Sequence, residues 1–91
     1  MAATESQDLI MPTIHLNGTS RAELLGYMSL AKEAVRNAIV AVEQTAPNMR
    51  DFYPDKGRFR LALDQHMARL ERLNDTHLEL DRFQFRLATE E

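Results

Sequence analysis

Apolar residues along this chain recur at helical spacing in two long blocks, separated by a polar stretch that carries two adjacent aromatics. In the first block Leu24, Met28, Ala31, Val35, Ala38 and Val42 alternate in steps of four and three, the spacing of a helix with one apolar seam. Ser20 with Glu23 three residues later has the capping-box pattern and sets the start of that helix. Pro47 sets its end, so a helix over 20–46 is predicted. Beside the seam runs a stripe of Tyr27, Ala31, Ala34, Ala38 and Ala41 that would let another helix approach closely. Gly26 interrupts the pattern at about 1 kcal/mol against Ala, and marks either close packing or simple tolerance. The second block repeats the seam with Leu63, His66, Leu70, Leu73, His77 and Leu80, flanked by Phe59, Met67, Phe83 and Leu87. It predicts a helix over 58–87 whose outer face carries Arg60 with Asp64 and Glu79 with Arg82 at ion-pair spacing.

Ahead of the first helix the pattern changes. Residues 1–9 are polar, have little to bury and predict a disordered tail. Ile10 to Leu16 show a short alternation, Ile14 and Leu16 facing one way and Thr13 and His15 the other. Pro12 makes this an extended arm or edge in preference to a central strand, and Asn17-Gly18 is a turn pair. The fold class is therefore all-α: a two-helix antiparallel hairpin with a short extended N-terminal arm, residues 10–91 forming one domain with a loop over 47–57. Two helices leave half of each apolar surface wet, so the hairpin is expected to oligomerise into a helical bundle.

Composition narrows the function classes. A chain of 91 residues builds only a marginal core, which again favours self-association into a dimer or higher oligomer. The net charge of -3 argues against a protein that grips nucleic-acid backbone. The chain has no cysteine, which removes disulfides, thiol nucleophiles and thiolate metal sites together. Its first residues carry acid instead of the basic start of a signal peptide, and no apolar run approaches the roughly 20 residues that span a bilayer. A soluble protein of the cytoplasm is expected. Asn17-Gly-Thr19 and Asn74-Asp-Thr76 match the glycosylation sequon incidentally.

No Gly-rich phosphate loop, His-Glu-x-x-His, cysteine nucleophile or Gly-x-Ser-x-Gly elbow occurs, so neither catalysis nor a cofactor is expected. His66 and His77 would lie about 16 Å apart on one helix, too far to share a metal within one chain. They read as seam or interface histidines, which a symmetric partner could bring together in pairs. The loop is the better candidate. Arg50, Lys56, Arg58 and Arg60 against Asp51 and Asp55 give a local excess of +2 (four minus two) in a negative chain. Arg50, Lys56 and Arg58 could hold phosphates, Tyr53 or Phe52 could stack on a base, and Asp51 could read a polar edge. The structural alternative has Phe52 plugging the bundle end, with Arg50 and Asp51 serving the helix termini. Asn17, Thr19 and Ser20 form a second candidate at the start of the first helix, where the dipole favours an anion. The first helix, roughly 40 Å long, separates the two segments. A head-to-tail neighbour would join them into a composite pocket.

Thr13-Ile-His-Leu-Asn-Gly-Thr-Ser20, Pro47-Asn-Met-Arg-Asp-Phe-Tyr-Pro54 and Gln65-His66-x-x-Arg69-Leu70 together resemble a group of small bacteriophage and prophage proteins. The likeness covers most of residues 12 to 80. It implies a phage origin and little chemistry, with a setting in the infected bacterial cytoplasm, where small accessory phage proteins often counter host defence. Some phage proteins built as helical oligomers sequester cyclic-nucleotide or ADP-ribose-derived immune signals in interface pockets. This chain lacks the motifs of the best-characterised helical-hairpin sponges and shares only their architecture and ligand logic. The expected function is thus non-catalytic sequestration of a small phosphorylated nucleotide. The alternative is a protein-interaction module that blocks a host defence protein or acts as an adaptor.

Overall fold

A computed structural model describes residues 9–89. Within them the chain folds into two α-helices packed against each other, with no strand. Helix α1 spans Arg21–Glu43 and helix α2 spans Lys56–Thr89, with a short 3-10 turn at Met49–Asp51 between them.

Helix α1 starts where the capping box places it. Ser20 Oγ accepts from the Glu23 N–H at 3.1 Å and Glu23 Oε1 accepts from the Ser20 N–H at 3.1 Å, which satisfies two of the donors a helix start leaves open. The helix ends at Glu43, short of the Pro47 stop predicted from sequence. Its last turn tightens instead: Thr45 N–H and Thr45 Oγ1 both donate to the Val42 carbonyl, at 2.8 and 2.7 Å, closing the end before the proline is reached. Helix α2 starts at Lys56 because Asp55 caps it, its Oδ1 accepting from the Arg58 N–H at 3.0 Å.

The helices run antiparallel. Leu25, Ser29 and Lys32 near the start of α1 meet Gln84 and Asp81 near the end of α2, while Thr45 to Pro47 lie beside Ala62 to Arg69. With 34 residues against 23, α2 outruns α1 at the loop end. There the loop covers it, and the rings of Phe52 and Phe59 pack tilted at 6.1 Å. The facing seam comprises Leu24, Met28, Ala31, Val35, Ala38 and Val42 of α1 against Leu63, His66, Leu70, Leu73, His77 and Leu80 of α2, all of them at least half-buried. A polar clamp secures the open end. Lys32 Nζ donates to Asp81 Oδ1 at 2.6 Å and to Gln84 Oε1 at 2.8 Å, and Gln84 Nε2 donates to Ser29 Oγ at 2.7 Å.

Among the described residues only Leu87 and His66, at 3% and 4% exposure, are buried by one copy of the chain. Tyr27, Leu30, Val40, Leu61, Met67, Leu78 and Phe85 stay exposed. The Ala34 and Ala41 part of the small-residue stripe also faces outward. Gly26 is not a close-packing point, because a Cβ built there meets nothing within 4 Å.

The N-terminal segment departs from its alternation. Ile14 is half-buried but Leu16 is fully exposed, so the two do not share a covered face. A turn closed by the Gly18 N–H on the His15 carbonyl at 3.1 Å breaks the extended path between them. The disordered tail expected over 1–9 lies, apart from Leu9, outside the described residues.

Candidate functional site

The loop between the helices is held by short-range bonds. Asn48 Nδ2 donates to Asp51 Oδ2 at 3.1 Å, and the 3-10 turn closes through the Asp51 and Phe52 N–H groups on the Asn48 and Met49 carbonyls. The Asp55 N–H donates to the Phe52 carbonyl at 2.7 Å across the cis Tyr53–Pro54 peptide. Phe52 is half-buried against Phe59 and plugs this end. Tyr53 beside it is 81% exposed, so the loop sorts its aromatics into one that packs and one that is free to meet a ligand.

The side chains of Arg50, Lys56 and Arg58 are exposed, and none makes an ion pair or hydrogen bond among the described residues. They fall within one segment, residues 50–58, with no fixed counter-ion among the described residues. Asp55 is committed to the cap of α2, and Asp51 keeps one carboxylate oxygen free after Asn48 takes the other.

Asn17, Thr19 and Ser20 lie at the other end of α1, which at 23 residues spans about 34 Å. They do not join the loop residues within one chain. Asn17 and Thr19 are exposed, while the hydroxyl of Ser20 is already engaged by both the N–H and the carboxylate of Glu23.

A cleft of about 340 Å³ opens between the segment after α1, the 3-10 turn and the second to fourth turns of α2, lined by Asp51, Phe52, Gln65, His66 and Arg69 together with Thr45 to Pro47 and Ala62. Of the ligand contacts expected from sequence, Asp51 and Phe52 line it, while Arg50, Tyr53, Lys56 and Arg58 do not. Gln65, His66 and Arg69 lie outside the ligand contacts expected from sequence. The signal for them was present: Arg58, Ala62, Gln65 and Arg69 follow steps of four, three and four, which puts them along one side of α2. The His66 side chain makes no hydrogen bond among the described residues, and its Nδ1 is sealed from solvent. An unpartnered buried nitrogen costs about 1–3 kcal/mol. His77 Nε2 and Arg21 Nε are likewise buried without a partner. A second hollow, bordered by Asp64, Met67, Leu70 and Asn74, lies on the surface of α2 alone and is contacted by no other element.

Among the described residues no cluster of three or more His, Cys, Asp or Glu is placed to hold a metal ion, and no helix is long and apolar enough to cross a membrane. Comparison with protein-family models, curated proteins and solved structures returned no match.

Proposed function

We propose that this chain is a homo-oligomeric helical-hairpin protein that binds a small phosphorylated nucleotide, of cyclic-nucleotide or cyclic ADP-ribose type, without turning it over. In the phage setting that its motifs suggest, it would act in the bacterial cytoplasm by withdrawing an immune signal. The observation that carries the reading is the loop. Arg50, Lys56 and Arg58 stand exposed and without a counter-ion among the described residues, beside an exposed Tyr53, in a chain of net charge -3. Three cations left open on one short segment suit the charge of phosphate groups, and the free phenol suits a base. Asn17 and Thr19 of a neighbouring copy would close the pocket, with Ser20 fixing that segment through its cap.

Calorimetric titration with cyclic dinucleotides, cyclic trinucleotides and cyclic ADP-ribose isomers tests this. Binding that is lost in Arg50→Ala/Tyr53→Ala, with the oligomer intact, supports the reading. Absence of heat from every compound at about 50 µM protein rejects it.

A second reading rests on a different observation, the outward Tyr27, Leu30, Ala34 and Ala41 side of α1. It makes the protein an interaction module that docks a helix of a host protein. In that case Ala34→Glu abolishes stoichiometric capture of the host protein and Arg50→Ala leaves it unchanged.

A further inference from the structure

The cleft at the loop end combines three properties that the exposed cations of the loop lack. It gathers residues from the segment after α1, the 3-10 turn and α2, it has apolar lining in Pro47, Ala62 and Phe52, and it contains polar side chains without a hydrogen-bond partner among the described residues. Its lining includes His66, 4% exposed yet without a hydrogen bond among the described residues. The lining also includes Asp51, with a free carboxylate oxygen, and Gln65 and Arg69, neither of which is paired among the described residues. A site of about 340 Å³ stands at the small end of the range for ligand pockets, which suits a single nucleotide unit. The lining has a donor-seeking carboxylate, an imidazole that can donate or accept, a carboxamide that does both, and one guanidinium. That set matches a planar nitrogen heterocycle bearing one anionic group.

We infer that this cleft is the ring-binding part of the ligand site: a nucleobase enters between the 3-10 turn and α2, its polar edge meeting Asp51 and His66 and its attached phosphate meeting Arg69. Arg58, on the same side of α2, continues the cationic track from Arg69 toward the loop. The inference rests on the nucleotide-binding reading above and adds to it where the base goes and which residues select it.

The test titrates the full chain with AMP, GMP, adenosine and inorganic phosphate, following the imidazole nitrogen resonances of His66 against those of His77 and His15. AMP or GMP is expected to shift His66 and leave His77 in place. Arg69→Gln is expected to weaken a nucleotide at least tenfold and to leave adenosine unchanged, while Asp51→Asn weakens adenosine as well. Both substitutions are at exposed positions, so they keep the test open if His66→Gln fails to fold. A nucleotide that binds equally to wild type, Arg69→Gln and Asp51→Asn, but not to Arg50→Ala, overturns the cleft and leaves the loop reading standing. Binding of inorganic phosphate as tight as that of AMP also overturns it. Absence of binding by every probe, together with the cyclic nucleotides, overturns both.

Discussion

Ser20 and Glu23 exchange hydrogen bonds at the start of α1, and Asp55 does similar work at the start of α2. Ser20→Ala is expected to lower stability by about 1 kcal/mol, read as a lower urea midpoint at an unchanged slope. The Ser20 cap was legible in the sequence because both partners lie within one turn and the spacing alone defines the geometry. His66 shows the opposite case. In the sequence it is one more member of a four-three seam, and its unpartnered nitrogen depends on where residues 45–52 come to rest over α2. Ser20 was also nominated as a ligand contact, a role for which its engaged hydroxyl leaves little capacity. Local spacing identifies a hydroxyl, but only the fold reveals whether that hydroxyl is already occupied.

The two helices were legible for a similar reason, since a seam such as Leu24, Met28, Ala31 and Val35 faces its partner in any antiparallel hairpin. The clamp joining them was not, because Lys32, Asp81 and Gln84 are far apart in sequence and meet only once the register is set. The hydrogen bond and charge of Lys32 hold the Asp81 carboxyl below its ordinary value of 3.8. A carboxyl depressed on folding contributes stability that is present above its unfolded value and is lost as the pH falls through the folded one. Acid titration of stability should therefore show a loss below that ordinary value, and Asp81→Asn should remove this component. Gly26 gives a second prediction for α1. A methyl group meets nothing there, so Gly26→Ala is expected to stabilise by about 1 kcal/mol and raise Tm by about 4–8 °C, measured by far-UV circular dichroism.

The described residues form a rod of 63 × 25 × 18 Å with a radius of gyration of 18.3 Å, against about 12 Å for a compact chain of this length. A rod two helices thick cannot enclose a core, and this is why Phe85, at 67% exposure, and Leu78 remain on the surface of α2. Folding and association should be coupled. A roughly tenfold increase in protein concentration is expected to raise Tm, and Ala34→Glu, placing a charge in the outward stripe of α1, is expected to abolish that dependence and reduce the mass measured by sedimentation. A concentration-independent Tm with a monomeric mass would rule out the coupling.

The unequal lengths of the helices also bear on how the molecule moves. The first turns of α2 have no long helix beside them, and the loop packs on them through Phe52 on Phe59. Breaking that one aromatic contact frees the turns at 56–62 to fray while the clamp at Lys32 and Asp81 remains shut, so opening can be local. Hydrogen exchange should accordingly run fastest, within α2, at its loop end and slow toward Asp81. A nucleotide seated in the cleft would reverse that gradient by holding the loop down.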